Sequence, residues 1–65
     1  MLFRKLRGRI REVYGTQGAF AIAMDKSEAT LSKKLQGETE WTRAEIELAC
    51  QLLRVPIEEI PDYFF

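Results

Sequence analysis

The stretch Thr16-Gln17-Gly18-Ala19-Phe20-Ala21-Ile22-Ala23-Met24-Asp25-Lys26-Ser27-Glu28-Ala29-Thr30-Leu31-Ser32-Lys33-Lys34-Leu35-Gln36-Gly37 carries the reading of the fold. Thr16 is placed to cap a helix over about 17–24, because its hydroxyl can accept one of the free amides of a first turn. Phe20, Ala21 and Met24 recur at helical spacing and form its inward face. Asp25-Lys26 reads as a tight turn, since Asp tolerates the left-handed conformation better than most residues. Ser27 then caps a helix over about 28–36 with Leu31 and Leu35 inward, and Gly37 ends it. Two short helices joined by a turn of about three or four residues are the helix-turn-helix arrangement, in which the second helix can enter the DNA major groove.

Residues on either side extend the helical pattern. Phe3, Leu6, Ile10 and Val13 line one face of a helix over 2–14 that Gly15 closes, with basic residues on its other faces. After the loop Glu38-Thr39-Glu40, Trp41 is expected to fold back onto the core. Thr42 and Glu45 form a capping box for a helix over 43–53, with Ile46, Ala49, Cys50 and Leu53 inward. Leu48 and Leu52 make a second stripe on that helix, which implies burial on two sides or an interface. Pro56 suits the start of a last short turn, and Pro61 restarts the chain before Asp62-Tyr63-Phe64-Phe65. No strand alternation or repeat occurs. The expected fold is all-α, a compact bundle of four to five short helices in a single domain, residues 1–65.

Composition narrows the function classes. The 65 residues contain no His and one Cys, which excludes a structural zinc site, a Cys/His dyad and a Ser/His/Asp triad. No catalytic residues, metal, cofactor or small-molecule substrate are expected. The longest apolar run, Ala19 to Met24, has six residues and is too short to span a membrane. The lone Cys50 reads as core packing, and its failure to form an internal disulfide points to a cytoplasmic protein. The net charge is zero, with 10 basic and 10 acidic residues, but the halves are polarised. Residues 1–35 hold eight basic and three acidic groups; residues 36–65 hold two and seven. One face could be turned to a polyanion, or the halves could attract each other in the fold.

The ordered set Thr16-Gln17, Ala21 where the two helices cross, and Leu31 ahead of Gly37 resembles the lambda-repressor/Cro-like (XRE-type) helix-turn-helix family of phage and bacterial regulators. Trp41-Thr42-Arg43, Glu45-Ile46 and the aromatic end Tyr63-Phe64-Phe65 look like small phage Cro-like proteins. The resemblance implies a transcriptional regulator that occupies operator DNA, bound to double-stranded DNA in the bacterial host cytoplasm. Asp25 stands where that family usually has Gly. Glu38 and Glu40 lie in a loop that often approaches phosphates, where two carboxylates would be repelled.

With Leu31 inward, about 100° per residue puts Ala29 and Lys33 nearly opposite it, flanked by Thr30 and Ser32. Lys33 could donate to guanine, Thr30 could meet a donor or an acceptor, and Ala29 could touch a thymine methyl. Glu28 could accept from cytosine N4 or serve as a helix-capping charge. The base-reading candidates are therefore Glu28, Ala29, Thr30, Ser32 and Lys33. Gln17, Lys26, Lys34 and Arg43 are the phosphate candidates, and the arginines of the first helix could add field strength. Tyr63, Phe64 and Phe65 cannot all face inward, so a homodimer is expected through this end, possible on DNA only, with a pseudo-palindromic site. The competing reading is a protein-interaction module on the same fold, with Ile22, Leu48, Leu52 and the aromatic end binding another protein; Glu38, Glu40 and the zero net charge favour it. A basic amphipathic first helix could also suit a membrane surface, but its apolar stripe is needed to close the core.

Overall fold

A computed structural model describes residues 2–65. Among these residues the chain forms five α-helices: α1 Arg4–Tyr14, α2 Gln17–Ala23, α3 Glu28–Leu35, α4 Arg43–Leu53 and α5 Ile60–Phe64. A 3-10 turn, Ile57–Glu59, runs directly into α5. The domain is all-α, as the periodicity predicts.

The helix starts follow the expected local chemistry. The Thr16 hydroxyl accepts from the Ala19 amide at 3.1 Å, and the Ser27 hydroxyl accepts from the Thr30 amide at 3.1 Å. At α4 both halves of the capping box form: Glu45 N–H donates to Thr42 Oγ1 at 3.1 Å, and Thr42 N–H donates to Glu45 Oε1 at 2.8 Å. The ends of α2, α3 and α4 share one device. Asp25, Gly37 and Arg54 take left-handed backbone with φ of 60°, 81° and 57°. The following amides of Lys26, Glu38 and Val55 each return 2.9 Å to the carbonyls of Ala21, Lys33 and Cys50.

The core is built from Leu6 and Ile10 of α1, Phe20 and Ala21 of α2 with Met24 at its end, Leu31 and Leu35 of α3, Ala49, Cys50 and Leu53 of α4, Val55, and Phe64. Trp41 folds back as expected and wedges between Phe3 and Phe64, with ring centroids at 6.2 and 5.2 Å. Phe3 and Trp41 thus tie the chain start and the inter-helix loop to α5. Burial of aromatics this size supplies a large share of a small domain's apolar contact.

Several expectations need correction. The first helix begins at Arg4, not residue 2, because Phe3 adopts left-handed backbone with φ 56°. Val13 is 42% exposed: α1 ends a residue later at Tyr14, whose ring packs on Phe20 at 5.3 Å and covers the core there instead. Pro61 lies inside the first turn of α5 rather than ahead of a new turn. Phe64, expected at a dimer interface, is buried in the core against Trp41.

Candidate functional site

The α2–α3 pair presents the face that the sequence singles out. Glu28, Ala29, Thr30 and Lys33 are exposed along α3, and Ser32 is half-buried. Gln17 Nε2 donates to Ser32 Oγ at 3.1 Å, so these two candidates clamp the start of α2 to the middle of α3. Thr30 Oγ1 accepts from Ser27 Oγ at 2.8 Å, which ties its hydroxyl to the helix cap. Glu28 leans back across α2, since a Cβ on Gly18 would lie 3.3 Å from Glu28 Oε1. The missing side chain of Gly18 leaves room for the Glu28 carboxylate against α2. The base-reading set therefore shares one side of the molecule.

The phosphate set does not. Glu45 sits beneath α3 and takes Lys34 Nζ on one carboxylate oxygen and Lys26 Nζ on the other, each at 3.0 Å. Lys34 is 5% exposed, and its Nζ also donates to the Glu40 carbonyl at 3.0 Å. Burial alone would push the Glu45 carboxyl up, but the Thr42 amide and the two ammonium groups outweigh it and hold the pKa down at about 2. Lys34 is thus held in the fold as a structural cation, and Lys26 is half-buried in the same cluster. Arg43 remains exposed, with its Nε 3.4 Å from Glu47 Oε2 one turn along α4.

This arrangement sets the charge of the α3 side. Asp25, Glu28, Glu38 and Glu40 are exposed around it. Lys33 is the exposed cation between them, since Lys26 and Lys34 are spent on Glu45. The face is acidic.

The arginines of α1 divide between two tasks that local spacing does not reveal. Arg7 donates to the Leu35 carbonyl at 2.8 Å and closes the end of α3; Arg9 donates to the Leu53 carbonyl at 2.9 Å and closes α4. Cations at helix C-termini satisfy orphan carbonyls and complement the helix dipole. Arg4 and Arg11 are exposed and make no ion pair among the described residues. They flank a cleft of about 370 Å³ bordered by Arg7, Gly8 and Gln17, with Ile10 and Leu35 behind them.

A second concavity, about 850 Å³, lies between α4 and the α5 end. Ile46, Cys50, Val55, Ile57, Ile60 and Phe65 line it, and Arg43 and Glu47 stand at its rim. Burial pushes the Cys50 thiol pKa up, which keeps it protonated and packing-like. Of the three aromatic candidates, Tyr63 is half-buried with Lys5 Nζ 4.8 Å from its ring centre, and Phe65 is 90% exposed. No described helix is long and apolar enough to cross a membrane.

A family model described as a protein of unknown function (DUF739) matches residues 1–65. No curated protein matches the chain. Among solved structures, the chain is similar to the modulator of repression (MOR) of the temperate bacteriophage TP901-1 from Lactococcus lactis, determined in solution. The two are 44% identical and superpose with a TM-score of 0.88, over 97% of this chain and 85% of that one.

Proposed function

The chain belongs to the family described as a protein of unknown function (DUF739), and from that membership and the likeness to MOR we propose that it is a phage regulatory protein that modulates repression by docking its α3 side onto a basic protein surface. The observation that carries this reading is the charge around α3: four exposed carboxylates against Lys33, with Lys26 and Lys34 sequestered by Glu45. A DNA backbone repels such a face, whereas the cationic surface with which a repressor grips DNA attracts it. Docking there places the chain in competition with operator DNA, and the bacterial host cytoplasm is the setting. No chemistry on bound substrate is required.

The test is a titration of the chain into the phage repressor whose repression it modulates, alone and on labelled operator, read by fluorescence anisotropy. Repressor should bind and operator should be released, at a rate of association that falls with salt. The Glu28→Lys/Glu38→Lys variant should lose at least tenfold in affinity with its melting curve intact. Unchanged binding by that variant rules out this face.

The second reading is a sequence-specific operator-binding regulator of the Cro-like kind, and the Gln17–Ser32 clamp beside exposed Ala29, Thr30 and Lys33 favours it. It requires Lys33→Glu to abolish duplex binding, while the docking reading leaves duplex affinity unchanged in that variant. For the homodimer, Phe65 is the exposed candidate that remains, with Tyr63 contributing its uncovered edge.

A further inference from the structure

Arg4, Gly8 and Arg11 lie one and two turns apart on the same side of α1, and Arg7 borders the space between them. Arg7 is held by the Leu2 and Leu35 carbonyls at 3.2 and 2.8 Å, so its guanidinium is fixed before any ligand arrives. Two of its five donors are used there, and the rest remain for a ligand. Three guanidinium groups at this spacing repel each other, and no carboxylate among the described residues pairs with Arg4, Arg7 or Arg11. Gly8 sits in the middle of an 11-residue helix, where glycine weakens the helix. Its missing side chain is not used by the fold, because a Cβ there would meet nothing within 4 Å. Fixed positive charge and open space thus coincide in one cleft of about 370 Å³.

We propose that the Arg4–Gly8–Arg11 cleft binds phosphate groups of a nucleic-acid backbone, independently of α3. Guanidinium forks match phosphate oxygens in pairs, and a glycine floor admits the backbone close to the helix. The inference goes beyond the docking reading: it gives the chain a contact of its own with a nucleic-acid backbone, with no sequence preference.

The experiment uses the whole 15N-labelled chain, titrated with a short random-sequence duplex and, separately, with inorganic phosphate. Amide shifts should move at Arg4, Gly8, Arg11 and Gln17, with the duplex binding at micromolar and phosphate only at millimolar concentration. Duplex affinity should drop steeply between about 50 and 200 mM salt. The Arg4→Gln/Arg11→Gln variant should lose at least tenfold in duplex affinity and lower the logarithmic salt slope by about 0.9 per phosphate contact removed. Gly8→Glu, which places a carboxylate between the arginines, should abolish binding while its melting temperature stays equal or rises. Lys33→Glu should leave the shifts at Gly8 in place, which separates this cleft from any reading of DNA by α3. Shifts confined to α3, or undiminished affinity in the double arginine variant, overturns the proposal. Free phosphate binding as tightly as the duplex overturns the assignment to a nucleic-acid backbone. Failure here leaves repressor docking by α3 standing, because the two tests use different residues and different ligands.

Discussion

At Glu45 a single carboxylate closes the first turn of α4 and neutralises two lysines of the α2–α3 segment. Its pKa of about 2 lies below the ordinary 4.5, so the folded state favours the charged form more than the unfolded chain does. The resulting stabilisation is fully present above pH 4.5 and is lost as pH falls from there through 2. Its size is on the order of 2–3 kcal/mol, a large fraction of what a core this small supplies. Denaturant midpoints should therefore fall between pH 6 and pH 2, and Glu45→Gln should flatten that fall. At neutral pH the same variant should be less stable by about 3 kcal/mol, since it leaves Lys34 buried without its anion. Equal acid sensitivity in wild type and variant would assign the loss to other carboxylates. The residue also marks a boundary of what the sequence discloses. Thr42 and Glu45 announce their capping box because both partners lie within one turn. The pairing of Glu45 with Lys26 and Lys34 depends on how α3 lies over α4, which no local spacing encodes, so both lysines read as phosphate ligands.

Helix ends show the same division. Thr16, Ser27 and Thr42 cap as expected, and Gly37 and Asp25 turn as expected, because caps and turns are decided within four or five residues. Arg54 escapes such a reading: it takes the left-handed position that ends α4, where glycine is the usual occupant. Left-handed backbone costs a residue with a Cβ about 1–2 kcal/mol, and glycine's greater freedom in the unfolded chain returns part of that. Arg54→Gly should therefore stabilise the domain by about 0.5 kcal/mol in a chemical denaturation curve. Gly37→Ala should cost about 1 kcal/mol at φ 81°, and its Cβ would also press on Leu2 Cδ1, 2.6 Å away. A further Cβ at Gly8 meets open space, so Gly8→Ala should gain about 1 kcal/mol. Arg54→Gly and Gly8→Ala gain stability and Gly37→Ala loses it for one reason, the backbone conformation each position requires. Thermal melts that ranked them otherwise would contradict the helix ends described.

Over the whole molecule, one of the two charge readings open in the sequence is met by ion pairs. Lys26 and Lys34 cross to Glu45, and Lys5 lies 3.9 Å from Asp62, so the basic and acidic halves do attract each other. What is left over is segregated, with Arg4 and Arg11 beside the α1 cleft and carboxylates around α3. The apolar end stands apart from both. Phe65 and Ile57 are 90% and 82% exposed at the edge of the α4–α5 groove, whose rim carries Arg43 and Glu47. A rim with one charge of each sign can face a copy of itself across a two-fold axis, Arg43 against the second Glu47. Burying a large apolar side chain contributes about 1.5–3 kcal/mol, so the Phe65 and Ile57 pairs of two copies supply roughly 6–12 kcal/mol. Association costs about 4–15 kcal/mol in lost freedom, which leaves such a dimer weak. Sedimentation velocity should accordingly show monomer at micromolar concentration, and a dimer at millimolar concentration or when two copies share one DNA or repressor. Phe65→Ser should remove that dimer without lowering the melting temperature, because Phe65 is 90% exposed. A sedimentation coefficient that stays monomeric at every concentration, and with every partner, would leave the groove without a second copy as its occupant.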